Sequence, residues 1–131
     1  MTECIEISVT IPSLPEKVYH AWLTSAGHSA MVSAQADIKP VVGARFSMWD
    51  GYIEGVNEEL IENQRIVQTW RTVDFPPGSP DSRLEIILVD LDGQTHLTLV
   101  QSNIPEGQGQ EYKDGWVDNY FEPMAVYFSK K

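Results

Sequence analysis

Apolar and polar residues alternate without a break through Ile5-Glu6-Ile7-Ser8-Val9-Thr10-Ile11. A period of two sends one side of the segment to a core and the other to water, so the pattern predicts a first strand. Ser13-Leu14-Pro15-Glu16 then has the form of a capping box, with Ser13 as N-cap, Glu16 reaching back, and Pro15 in the first turn, where its missing N–H removes no bond. Val18, Ala21 and Trp22 follow at helical spacing, which predicts a short helix, a break around Gly27 and a further helical turn before Val32. From Val32 to Gln101, turn residues recur at Pro40, Gly43, Asp50-Gly51, Asn63, residues 76–80 and Asp92-Gly93, with β-rich runs between them. Asp50-Gly51 and Asp92-Gly93 supply the positive φ that both central positions of a tight hairpin turn require. Consecutive hairpins make an antiparallel meander. Three prolines in Phe75-Pro76-Pro77-Gly78-Ser79-Pro80 place that loop at a sheet edge or over the mouth of whatever the sheet encloses.

After Pro105 the period changes. Tyr112, Trp116, Tyr120, Met124 and Phe128 recur every four residues, broadened by Val117, Phe121 and Tyr127, while Lys113, Asp114, Asp118, Asn119 and Glu122 occupy the opposite side. This predicts one long C-terminal helix packed by its aromatic stripe. Pro123 lies inside it and removes one backbone hydrogen bond near Asn119, so a kink is expected there. The order of strand, one or two short helices, meander and long helix is that of an α+β helix-grip fold: a curved antiparallel sheet of six or seven strands around the last helix. At 131 residues the chain reads as one such domain over positions 1–131.

Charge narrows the partners. Nineteen acidic against nine basic side chains give a net charge of -10, which repels phosphate backbones and anionic lipid, so neither nucleic acid nor a membrane surface is expected as a partner. The longest apolar run, Ile86 to Val89, is far short of the roughly 20 residues of a spanning helix. The acidic start of the chain lacks the basic and apolar regions of a signal peptide, and a cytoplasmic location is expected. Asp50, Glu54, Glu58, Glu59 and Glu62 fall in one stretch without Lys or Arg, a surface that could draw a basic protein partner. The lone Cys4 forms no internal disulfide and reads as a small apolar strand residue.

Motifs for chemistry are mostly lacking. His20, His28 and His96 have no zinc-ligand spacing, Asp90-Leu91-Asp92-Gly93 is better explained as a turn than as a calcium loop, and the glycines do not form a phosphate cradle. No metal or cofactor is expected. An enzyme would need a carboxylate or histidine buried in a pocket; Glu54, Asp90 and His96 are the nominees, each better explained as a solvent-facing strand or turn residue, and none is assigned a catalytic role. The aromatic residues belong mainly to the core. Where the long helix faces the concave sheet, however, Trp49, Trp70, Trp116, Tyr120 and Met124 are placed to line a cavity for a small hydrophobic ligand.

The runs Val42-Gly43-Ala44-Arg45-Phe46-Ser47-Met48-Trp49-Asp50-Gly51-Tyr52-Ile53-Glu54-Gly55 and Ile66-Val67-Gln68-Thr69-Trp70-Arg71, with Asp92-Gly93-Gln94-Thr95-His96-Leu97, Gly115-Trp116 and Tyr120-Phe121-Glu122, resemble the C-terminal domain of the activators of heat-shock protein 90 ATPase. That family belongs to the START-like helix-grip superfamily. The resemblance implies a non-enzymatic protein-interaction module acting on a heat-shock protein 90 chaperone, with Asp50, Tyr52 and Glu54 as candidate contact residues. Two alternatives follow from the wider superfamily: a carrier or sensor of a small hydrophobic ligand, and an enzyme of the cyclase or hydrolase kind.

Overall fold

The computed structural model describes residues 2–130. Seven strands, β1 (Thr2–Ile11), β2 (Ala36–Asp37), β3 (Arg45–Met48), β4 (Ile53–Ile61), β5 (Arg65–Thr72), β6 (Ser82–Leu91) and β7 (Gln94–Pro105), form one antiparallel sheet in the order β1-β7-β6-β5-β4-β3-β2. Strands β2 to β7 follow one another as a meander, and β1 closes the far side by pairing with β7 along nearly its whole length. Helices α1 (Pro15–Leu23) and α2 (Ser25–Val32) fill the connection from β1 to β2. The chain ends in α3 (Gly109–Trp116), a π turn (Val117–Phe121) and α4 (Glu122–Ser129), which run on without interruption. The fold is the helix-grip architecture expected from the hydrophobic pattern.

The last helix departs from a plain α-helix in a way its sequence explains. A side chain repeating every four residues drifts around a 3.6-residue helix by roughly 40° per step, so a strict four-residue stripe would wind off the sheet. The π turn widens the helix by one residue and brings the stripe back: Tyr112, Trp116, Tyr120, Met124 and Phe128 are all buried. It also resolves the expected kink, because Pro123 has no N–H to give and the widened turn lets Glu122 N–H reach the Val117 carbonyl. The helix entry is held from across the molecule: the Glu3 carboxylate on β1 accepts from Gly107 N–H (2.9 Å) and Gly109 N–H (2.7 Å), and these bonds lower its pKa.

Three local expectations are corrected, and a fourth is narrowed. Ser13 does not cap α1; Leu14 holds that position without a side-chain bond, because the Ser13 carbonyl is engaged by Thr95 Oγ1 of β7 (2.7 Å) and the helix begins one residue later. Gly27 lies inside α2, not at a break. The break is at Thr24, whose hydroxyl accepts from Gly27 N–H (3.2 Å), and Gly27 is small because a Cβ there would come within 2.7 Å of Ala21 Cα. Cys4 is exposed beside Glu6 on the solvent side of β1, one position out of phase with the apolar face. The proline-rich loop connects two interior strands, β5 and β6, so it caps the end of the sheet, and its Phe75 is buried against Trp70 and Tyr112.

The hairpin dipeptides have the backbone expected of them. Asp92 (φ 54°) and Gly93 (φ 89°) make a two-residue turn closed by the Leu91 and Gln94 pair, and Asp50 (φ 56°) and Gly51 (φ 85°) turn β3 into β4. A further constraint sits at Gly55, opposite Phe46 on β3. A methyl group there would collide with the Thr69 carbonyl of β5 and with the tip of the Phe46 ring, both fixed by the sheet. Gly55→Ala is therefore expected to destabilise the protein by about 2 kcal/mol or more. Urea unfolding should show a lower midpoint with an unchanged slope.

Candidate functional site

The helix stripe and the sheet meet in a chain of aromatic rings. Trp22 on α1 lies 5.2 Å from Tyr120 and 6.2 Å from Trp116, Trp116 lies 5.5 Å from Trp70, and Trp70 lies 5.0 Å from Tyr112 in an edge-to-face arrangement, all between ring centroids. Where this chain meets the β3–β4 turn it leaves a cleft of about 410 Å³. Its walls carry six aromatic side chains: Trp49, Tyr52, Trp70, Tyr112, Trp116 and Tyr120. Ile53, Gly115, Asn119 and Glu111 complete the lining.

The polar end of nearly every ring is tied back into the protein, which leaves ring surface for the cleft. Trp116 Nε1 donates to Gln101 Oε1 of β7 (2.8 Å), and Gln101 in turn donates to Ser82 Oγ (3.0 Å). Tyr112 donates to Gln108 Oε1 (2.7 Å) and accepts from Thr72 Oγ1 of β5 (2.7 Å). Tyr52 donates to Asp74 Oδ2 at 2.6 Å. Burial, then the bonded and neighbouring Asp74 carboxylate, pushes the Tyr52 phenol up to about 12. Burial also raises Tyr112, with the carboxylates of Glu111 and Asp74 adding to it. Trp70 Nε1 is the exception, a buried donor with no hydrogen-bond partner.

Tyr120 is anchored by a histidine. His28 is fully buried, with Nδ1 2.8 Å from the Trp22 carbonyl and Nε2 2.8 Å from the Tyr120 hydroxyl. A carbonyl only accepts, so Nδ1 carries the proton, Nε2 accepts, and Tyr120 donates to it. The Trp49 side chain acts on the Tyr120 phenol in the direction opposite to burial, favouring its ionised form. Burial holds the imidazole neutral, lowering its pKa to about 4 against the smaller opposing effect of the Trp22 carbonyl. Burial likewise raises the Tyr120 phenol.

Trp49 itself sits in the left-handed region (φ 57°), a costly conformation for a bulky residue, on the order of 1–3 kcal/mol. Its N–H donates to the Gln35 carbonyl (2.8 Å), the Gln35 side chain accepts from Asp50 N–H (3.1 Å), and the Trp49 carbonyl accepts from Tyr52 N–H (3.1 Å). The strained turn thus places its indole over the cleft and in reach of Tyr120.

Of the residues expected from the sequence to line a cavity, Trp49, Trp70, Trp116 and Tyr120 come together on this cleft, whereas Met124 is fully buried in the core outside it. Tyr52, expected as a protein contact, is in the cleft wall, while Asp50 and Glu54 are exposed, with Glu54 3.7 Å from Arg45. Glu54, Asp90 and His96 are absent from the lining. Sequence reasoning missed His28, which no spacing distinguishes from a solvent histidine, and Tyr112, which stood in the helix stripe but was not carried to the cavity. Among the described residues no group of three or more His, Cys, Asp or Glu side chains comes together to hold a metal ion, and no helix is long and apolar enough to cross a membrane.

The neutral buried His28 makes stability depend on pH. An unfolded chain's histidine takes up a proton near pH 6.5, and the folded one resists to about 4. Between those values the unfolded state holds more protons, so stability falls as pH falls. Unfolding free energies at about pH 7.5 and about pH 5 should differ by about 2 kcal/mol from this group. The His28 ring resonances in NMR should keep neutral-imidazole shifts down to about pH 5 and titrate around pH 4.

Comparisons with known proteins agree over nearly the whole chain. Residues 13–129 match the family described as Activator of Hsp90 ATPase homolog 1-like protein. The human activator of 90 kDa heat shock protein ATPase homolog 1 is 28% identical over 124 residues, a match that takes in 95% of this chain and 36% of that protein. The Dictyostelium discoideum homologue is 25% identical over 128 residues, with 98% of this chain and 33% of that protein covered. The chain thus spans about a third of the length of the curated relatives it matches. An HSP90 activator from Plasmodium falciparum has the same fold, with a TM-score of 0.88, 23% identity and 96% of each chain superposed.

Proposed function

Since the chain belongs to the activator of Hsp90 ATPase homolog 1-like family, we propose that it is a non-enzymatic co-chaperone module that docks on a chaperone of the Hsp90 class. The family match carries this reading, because it runs from before α1 to the end of α4 and so takes in the whole helix-grip scaffold except β1. Charge supports it. Asp50, Glu54, Glu58, Glu59 and Glu62 are all exposed on or beside β4, in a chain of net charge -10, and such a surface would speed and orient encounter with a basic patch. The absence of catalysis is supported by His28, whose two nitrogens are both engaged within the core. Mixing the purified chain with an Hsp90-class chaperone should give binding that weakens as ionic strength rises, and a change in the chaperone's ATP turnover. No binding even at low salt would end this reading.

A second reading, a carrier or sensor of a small ligand, is favoured by the cleft and by Trp70 Nε1. A buried donor without a partner costs about 1–3 kcal/mol, which a ligand acceptor reaching it would recover. Native mass spectrometry of the freshly purified protein should then show a mass excess that disappears on denaturation. An unchanged mass would favour the chaperone reading alone.

A further inference from the structure

We propose that the cleft selects a small organic cation, a quaternary ammonium group, and not a neutral apolar compound of the same shape. The inference rests on the reading that the cleft takes a ligand at all, and it goes beyond it by assigning the ligand's charge.

Three observations converge. The first is the wall itself, where Trp49, Tyr52, Trp70, Tyr112, Trp116 and Tyr120 surround one volume of about 410 Å³. Aromatic faces carry negative charge density at their centres, and an ammonium group set among several of them is attracted with little need for hydrogen bonds. The second is that the polar handles of Tyr52, Tyr112, Trp116 and Tyr120 are bonded to protein groups. These rings are therefore fixed in orientation, and their hydrogen-bonding atoms are engaged with the protein and not with the cleft. A quaternary ammonium, whose nitrogen bears no N–H, matches such a wall better than a hydrogen-bonding ligand does.

The third is charge. Glu111 is the single charged residue in the lining, and no lysine, arginine or histidine among the described residues joins it. The tyrosines register the same field: after burial, the carboxylates of Asp74 and Glu111 contribute to holding the Tyr52 and Tyr112 protons on. Arg71 lies 5.3 Å over the Phe75 ring, which packs behind Trp70 and Tyr112, and it is committed to Asp81 (2.8 Å) and the Ser79 carbonyl (2.9 Å). The aromatic group thus already holds one guanidinium, at Phe75, and the cleft lining contains no cation of the protein's own.

Choline and its carbon isostere 3,3-dimethylbutan-1-ol test this directly. They share shape and hydroxyl, so any contact with Trp70 Nε1 is matched, and they differ only in charge. Titrations at low ionic strength, followed by tryptophan fluorescence and by amide NMR shifts, should show choline binding at least about tenfold more tightly than the isostere. Salt should weaken choline and leave the isostere unaffected. Trp49→Leu at the half-buried rim should abolish the preference, Trp49→Phe should retain part of it, and Glu111→Gln on the exposed rim should weaken choline by about threefold without moving the isostere. The isostere also serves as the folding control for each variant.

Equal or tighter binding of the isostere would overturn the proposal and leave the neutral-ligand reading standing. Binding of neither compound would also overturn it, with the native mass measurement then deciding whether the cleft holds anything. A peptide bearing trimethyllysine provides a third arm: if it binds while choline does not, the site reads a protein modification and the small-molecule assignment falls.

Discussion

Five large aromatic rings with polar atoms are buried on or against the C-terminal helix, four of them with a hydrogen-bond partner for that atom, and meeting this need organises the structure. An indole or phenol taken out of water without a hydrogen bond costs about 1–3 kcal/mol, a large share of a domain's net stability. The sheet answers with polar residues on its inner face. Gln101 receives Trp116, Thr72 donates to Tyr112, and Gln68, itself bonded to Asn57 (2.8 Å), stands 3.5 Å from the Trp22 indole nitrogen. His28 performs the same service for Tyr120 from the helical side. These bonds fix the rotation of the last helix against the sheet more closely than apolar packing would, because each requires one atom to meet one atom. Trp70 alone was left without such an answer, and it stands at the cleft.

The π turn belongs to the same logic. It lies where the stripe must be rephased, and Tyr120 and Phe121 within it are both buried. Proline at position 123 makes the wider turn locally inexpensive, since a plain helix would have lost a bond there in any case. Upstream of the turn the stripe looks onto the cleft through Tyr112 and Trp116. Downstream, α4 packs on α2 and its Met124 and Phe128 close the core. A single helix thus serves the cleft with one half and the hydrophobic core with the other.

Much of this could be read from the residue pattern. The alternation of Ile5 to Ile11, the two Asp-Gly turns and the four-residue aromatic repeat are local signals, and local backbone geometry follows them directly. Grouping Trp49, Trp70, Trp116 and Tyr120 needed only the added premise that the helix lies in the sheet's concave face. Other features are settled by partners far away in sequence. Ser13 has the right neighbours for a cap, yet its carbonyl is claimed by Thr95, and Gly27 has the look of a breaker although it marks the close approach of α1 to α2. Met124 keeps the periodicity of the cavity residues, but the helix passes the end of the cleft before reaching it. His28 has no pattern at all, because its role depends on Tyr120, 92 residues on.

The bonds from Glu3 to Gly107 and Gly109 have a temporal side. Strand β1 is made well before the strand that pairs with it and before the helix entry that its carboxylate holds, whose bonded residues lie 104 and 106 positions further on. Contacts of such sequence separation close slowly, and until they close the unpaired edge of β1 stays open to wrong partners. On its solvent face β1 carries Glu6, Ser8 and Thr10, polar side chains that make the waiting strand a poor template for aggregation. Strand β7 and the helix entry at Gly107 and Gly109 therefore act as the latch of the whole sheet, which is complete only when β1 and β7 have met.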